Sequence, residues 1–326
     1  MVDPNACIAW RLFHLNWIPI AAMGGVLLLG VALCGFSIEP VAFAIPTAIA
    51  VALGLTAYVY GFANANAADP KLIFPLGTIS QLLLVATIMG PLTYVAGTAN
   101  WPLQDHALLA IDRALGMDPE LIARYVNDHS WLAELLVRGY GLIKWPLLGI
   151  PIVLTLTSRF VRLQLFVFAF GLALIVTVAI SAFTPAIGTY YGLNIEPSKF
   201  PNLDGSLYAA QLRDTLALRE GSLRHLELFK LSGIVSFPSF HVASAVIYMW
   251  ALWPVRGIGG LAVALNVLMI AATPVMGAHY MIDVFGGIAV AAISIFLAKY
   301  LLDLMAPSSL TTQAVQPAPG LLPTWD

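Results

Sequence analysis

His279-Tyr280-Met281-Ile282-Asp283-Val284-Phe285-Gly286-Gly287 opens an apolar run in which Lys299 is the only charge between Val284 and Leu302. A run of about 20 apolar residues is long enough to cross a bilayer as a helix. Ionisable groups at membrane depth are costly and persist mostly where they pair or do chemistry, so His279 and Asp283 read as a site. Two runs earlier, Ser236-Phe237-Pro238-Ser239-Phe240-His241 stands at the start of another apolar stretch. The two motifs are separated by one descending and one ascending passage, so both histidines reach the same end of a bundle.

The rest of the chain agrees with this reading. Of 326 residues, 60% are hydrophobic and 10% are charged, far below the roughly 25% charge of soluble domains. The fold expected is all-α, a polytopic membrane helix bundle. Length alone gives about eight spans, near 16–36, 40–63, 72–97, 137–157, 162–186, 237–254, 257–276 and 280–302. An even number puts both termini on one side. Arg11, Lys71, Arg159, Arg162, Arg256 and Lys299 flank the short connections there, whereas Ser37-Ile38-Glu39-Pro40, opposite, has no Lys or Arg. The positive-inside rule makes the termini cytoplasmic and both histidine motifs extracytoplasmic, as in a bacterial inner membrane with a periplasmic site. The net charge of −2 is scattered, which gives no surface for nucleic acid. Cys7 and Cys34 have neither a C-x-x-C spacing nor a His cluster and read as inert thiols.

Two longer segments lie on the motif side. Residues 98–136 split at Gly116-Met117-Asp118-Pro119, a helix stop followed by an N-cap and first-turn proline. Leu108, Leu109, Ile111 and Leu115, then Leu121, Ile122, Tyr125 and Val126, give each half an apolar stripe, so two interfacial helices are expected. Residues 188–236 carry Lys199, Arg213, Arg219, Arg224 and Lys230 and are placed to cover a polar headgroup. Three units follow: N-terminal transmembrane helices over 1–100, a catalytic membrane domain over 101–305, and a disordered cytoplasmic tail over 306–326, where Pro, Ser, Thr and Gln take over. Gly286 and Gly287 suit close helix contact, and Gln81 and Asn266 suit interhelical hydrogen bonds.

A His and an Asp four positions apart share a helix face, so Asp283 can accept from one nitrogen of His279 and leave the other free as a nucleophile or base. Ser239 and His241 fall at the start of a helix, after Pro238, where unpaired N–H groups make an anion cradle. Two histidines, a carboxylate and that cradle suggest phosphoryl transfer through a phosphohistidine. Two His and one carboxylate could instead hold zinc or non-haem iron, although no H-E-x-x-H spacing is present. His14, His106, His129 and His225 lie outside both motifs and read as surface residues.

Phe237-Pro238-Ser239-Phe240-His241, followed by Gly277-Ala278-His279-Tyr280 and Asp283, resembles the type-2 phosphatidic acid phosphatase superfamily. The similarity is nearest to the branch of inositolphosphorylceramide synthases and bacterial membrane phosphoesterases, where F-P-S-x-H and H-Y-x-x-D recur. It covers roughly 183–300 and, more faintly, 105–157. The resemblance implies that His279 is the nucleophile, Asp283 its orienter, His241 the acid that protonates the leaving oxygen, and Ser239 a phosphate ligand. Two of the superfamily's features are missing: no Arg-Pro occurs in the chain, and Ala272-Thr273 replaces the Ser-Arg of the third motif. Another cation must then face the phosphate, and Arg224, Lys230 and Lys144 are the candidates.

The activity expected is hydrolysis or transfer of a lipid phosphate drawn from the bilayer, with no cofactor and no metal; the oligomeric state is left open. An inositolphosphorylceramide-synthase-like head-group transferase is the alternative. A metal-dependent enzyme and a transporter stand behind it, the latter without the paired broken helices of related halves.

Overall fold

The computed structural model describes residues 4–63, 69–203 and 205–305, so the expected tail over 306–326 lies outside the described residues. In chain order the elements are α1 (Pro4–Leu15), α2 (Trp17–Leu33), β1 (Ser37–Ile38), α3 (Pro40–Ala63) and α4 (Pro70–Gly97). Then come α5 (Asp105–Ala114), α6 (Pro119–Asn127), α7 (Ser130–Tyr140), a 3-10 turn (Gly141–Lys144), α8 (Pro146–Leu156) and α9 (Phe160–Phe183). The last third holds α10 (Thr189–Gly192), α11 (Ser206–Glu220), β2 (His225–Leu226), α12 (Phe240–Leu252), α13 (Gly259–Met276) and α14 (Met281–Met305). This is an all-α polytopic membrane bundle; its two short strands pair in parallel, Ser37 opposite His225.

Helix starts follow from local chemistry. Asp69 caps α4 by accepting from Lys71 N at 2.8 Å, with Pro70 in the first turn, and Asp118 caps α6 through Glu120 N at 3.0 Å, ahead of Pro119. A side-chain acceptor and a proline that has no N–H to lose suit the first turn of a helix. Gly116, at φ +74°, takes the left-handed turn that separates α5 from α6.

Among the described residues six helices are long and apolar enough to cross a membrane, or seven if a bent pair counts as one span: α1 with α2 over Ala6–Leu33, and α3, α4, α9, α13 and α14. The expected straight span over 137–157 is instead α7 and α8, bent by 60° at a break. Pro146 accounts for it, since proline removes one ladder hydrogen bond and clashes with the preceding turn. The expected span over 237–254 is the 13-residue α12, held at its start by the Ser239 cap and followed by Trp253-Pro254. At 1.5 Å per residue it extends about 20 Å, short of a hydrocarbon core of about 30 Å. The first span starts earlier than expected, so Arg11 lies within α1.

α9 and α12 carry the core. Leu163, Phe166, Phe170 and Leu174 of α9 pack with Ala243, Ile247 and Tyr248 of α12, Val290 and Ala291 of α14, and Ile150 and Leu154 of α8. α3 turns Ile45, Ile49, Leu55 and Val59 outward, an apolar face suited to lipid. Buried amides tie the spans together: Asn16 Nδ2 donates to Gln164 Oε1 at 3.0 Å, and Gln81 Nε2 to Phe13 O at 2.9 Å. Asn266 departs from expectation and bonds Ala262 O of its own helix at 2.8 Å. Arg162 caps the other end of α12, donating from Nε to Ala251 O at 2.8 Å and from Nη2 to Trp250 O, and Arg159 reaches Pro254 O at 3.0 Å. Cations at a helix C-terminus complement its unpaired carbonyls.

Candidate active site

The starts of α12 and α14 are pressed together. Ser239 N donates to Asp283 O at 3.0 Å, and a Cβ on Gly287 would come within 2.4 Å of Ser239 O, so only glycine permits this approach. Close backbone contact of this kind is what the Gly286-Gly287 pair implied.

His279 sits just ahead of α14 and Asp283 in its first turn. Asp283 Oδ2 lies 3.0 Å from His279 Nδ1 and also accepts from Ser236 Oγ at 2.7 Å and Tyr280 N at 3.1 Å. Both residues are buried, at 4% and 0% exposure. A carboxylate fixed by three donors holds the imbedded imidazole in one tautomer and leaves Nε2 free. The preceding Ala278 is left-handed, at φ +52°, a conformation that costs an L-residue roughly 1–2 kcal/mol. It is held there by Thr189 N, which donates to Ala278 O at 2.8 Å, and by Gly188, whose missing Cβ would meet that oxygen at 2.4 Å.

α5 supplies two carboxylates, Asp105 and Asp112, that lie outside the two histidine motifs. Asp112 Oδ2 accepts from Met281 N at 2.7 Å and Oδ1 from Ile282 N at 2.9 Å, which closes the first turn of α14. Asp105 accepts from Gly188 N at 2.8 Å and from Tyr280 Oη at 2.9 Å. Burial pushes both carboxyls above the usual carboxylate range, and these backbone and tyrosine donors partly offset it. The buried stripe of α5 is Asp105, Leu108, Leu109 and Asp112, whereas the expected Ile111 and Leu115 are exposed. Two acids at the ends of an apolar i, i+3, i+4, i+7 stripe were the available signal.

On α12, Ser239 is the N-cap and accepts from Val242 N at 3.4 Å. Ser239 N itself is paired with Asp283 O, so the open donors of this turn are Phe240 N and His241 N, not Ser239 N as expected. The His241 ring stacks on Tyr140, the last residue of α7, with centroids 4.1 Å apart and planes 11° from parallel.

The model of the PAP2 superfamily matches residues 106–297, more than half of the chain, from α5 to the later part of α14. The chain belongs to the PAP2 superfamily. No curated protein and no solved structure gives a significant match. His241, His279, Asp283, Ser239, Asp112 and Tyr140 all fall within the PAP2 match, while α1 to α4 lie outside it.

Two of the three candidate cations are engaged elsewhere and the third is exposed. Arg224 donates through Nη1 to Leu223 O at 2.8 Å and Leu218 O at 3.2 Å, and lies 5.3 Å over the Phe36 ring. Lys230 Nζ pairs with Glu227 at 2.7 Å, and Lys144 is exposed in the break before α8. Among the described residues, no hydrogen bond or ion pair joins any of the three to His279, His241, Asp283 or Ser239. Thr273, which the motif resemblance sets at the place of the superfamily's arginine, turns its hydroxyl to Met269 O at 2.9 Å within its own helix. Among the described residues no group of three or more His, Cys, Asp or Glu is arranged to hold a metal ion.

Proposed function

We propose that this PAP2 superfamily protein hydrolyses or transfers the phosphate of a membrane lipid through a phosphohistidine on His279. The observation that carries the reading is the buried His279–Asp283 pair at 3.0 Å, set against the Ser239–His241 helix start. Nε2 of His279 attacks phosphorus in line and a P–N bond forms as the P–O bond to the lipid breaks; His241 gives the leaving oxygen its proton. Water or an alcohol, deprotonated by His241, then takes the phosphoryl group and frees His279. Ser239 and the N–H groups of Phe240 and His241 face the equatorial oxygens, whose charge they stabilise. The lipid enters sideways, since its tails gain nothing by leaving the bilayer. The catalytic unit spans 101–305, and the basic flanks of the far connections favour an extracytoplasmic site in a bacterial inner membrane.

Head-group transfer, as in the inositolphosphorylceramide synthase branch, is the second reading. It is favoured by Thr273, which offers the phosphate neither a charge nor a free hydroxyl hydrogen where a simple phosphatase of this superfamily has arginine. Purified protein incubated with phosphatidic acid, a polyprenyl diphosphate or a phosphatidylinositol-type donor, with and without a polyol, separates the two. Free phosphate from the first two, or inositol phosphate from the third without added polyol, supports hydrolysis; a product in which the added polyol carries the phosphoryl or head group supports transfer; and turnover of none of them rejects the lipid phosphate reading.

A further inference from the structure

Tyr140 lies outside the two histidine motifs, in the stretch over 105–157 that more faintly resembles the branch, and arrives from α7 beside both histidines. Its ring lies flat on His241, 4.1 Å between centroids. Its hydroxyl is 3.4 Å from His241 Nδ1. A Cβ on Gly277 would lie 2.7 Å from that hydroxyl and 2.7 Å from His279 Cδ2, so the phenol oxygen and the nucleophile's ring border one small space that Gly277 leaves open.

The contact with His241 does not use up the hydroxyl. With the rings within 11° of parallel, the phenol oxygen approaches Nδ1 over the face of the imidazole, whereas the nitrogen lone pair lies in the ring plane. No other partner bonds this hydroxyl among the described residues. A phenol hydroxyl in such a setting normally finds an acceptor, and a bound phosphoryl group would supply one.

We propose that Tyr140 is a further catalytic residue, its hydroxyl donating to an equatorial phosphoryl oxygen held between His279 and His241 while its ring fixes the plane of His241. This rests on the phosphohistidine reading above and adds to it a donor, drawn from α7, on the side where Thr273 offers none. The phosphoryl oxygen gains charge as the transition state forms, so the donor contributes more there than in the ground state.

The test is Tyr140→Phe in the full chain in detergent, because phenylalanine stacks as tyrosine does and lacks only the hydroxyl. Orthovanadate, which mimics the pentacoordinate phosphoryl group, serves as the probe by titration calorimetry. The Kd for orthovanadate should rise about tenfold or more, the range for a lost hydrogen bond to a charged group. With phosphatidic acid in mixed micelles, kcat should fall by a similar factor while KM stays within about twofold. Tyr140→Ala, which also removes the platform, should be worse. Equal orthovanadate affinity in wild type and Tyr140→Phe overturns the proposal, as does a loss in KM alone. His279→Ala keeps the two readings apart: if it is inactive while Tyr140→Phe matches wild type, only the role of Tyr140 fails; if it turns over normally, the phosphohistidine fails.

Discussion

The carboxylate of Asp112 and the N–H of Met281 meet at 2.7 Å, and through this bond α5, an amphipathic helix outside the long spans, fixes the start of the helix that bears the His279–Asp283 pair. Ile282 N, at 2.9 Å on the other oxygen, completes the clamp. Helix N-terminal N–H groups have no partner within the helix, so a carboxylate from another element is an efficient cap.

Asp112→Ala leaves two donors open near the interior, each costing roughly 1–3 kcal/mol if water does not reach it. The melting temperature of the purified protein should fall, and kcat should fall with it because His279 is no longer held. Asp112→Asn keeps one acceptor and should lie between Ala and wild type. A wild-type melting temperature and kcat for Asp112→Ala would remove the clamp from the account.

The same residue sets a pH dependence. Burial raises the carboxyl of Asp112, so the folded state binds its proton more tightly than the unfolded state does. Its contribution to stability is therefore full below the ordinary carboxylate range and is lost as pH rises through the elevated value. Melting curves from pH 4 upward should show this loss in wild type and a flatter profile in Asp112→Asn, which cannot titrate. Parallel profiles would contradict it.

Ser236 and Asp283 make the next prediction. Ser236 Oγ donates to the same Asp283 oxygen that faces His279, so Ser236→Ala should lower kcat modestly, by about tenfold or less, with the protein folded. Asp283→Asn should cost orders of magnitude, since an amide no longer enforces the tautomer of His279. Steady-state rates of both variants decide the order; Asp283→Asn at wild-type rate would refute the orienting role.

How much of this was legible depended on how local the cause was. The His279–Asp283 pair and the Gly116–Asp118 break rest on spacings within one turn, and they stand where the sequence puts them. A length rule could not see that Pro146 bends one span or that α12 ends at Leu252, because both depend on single residues inside apolar runs. Asp105, Asp112 and Tyr140 reach the site only through the packing of α5 and α7, and Asp112 lies 169 residues from Met281 along the chain. The basic residues ahead of α12 are near the motif in sequence but spend their contacts elsewhere: Arg224 lies over Phe36 and Lys230 pairs with Glu227.

Sidedness is open to direct labelling. In a variant with Cys7 and Cys34 replaced by Ser, a cysteine at exposed Ser222, on the end that holds the histidines, should react with a membrane-impermeant thiol reagent in intact cells. A cysteine at exposed Thr157, between α8 and α9, should react only after the membrane is opened. The opposite pattern would put the chemistry on the cytoplasmic face.

A phosphoryl group carried on His279 can be trapped on the protein. Wild-type protein given phosphatidic acid labelled at phosphorus, then quenched in alkali, should yield an acid-labile, alkali-stable phosphoprotein whose label maps to His279 by mass spectrometry. His279→Ala should give neither label nor turnover. Label on another residue, or wild-type turnover by a folded His279→Ala, would contradict the account.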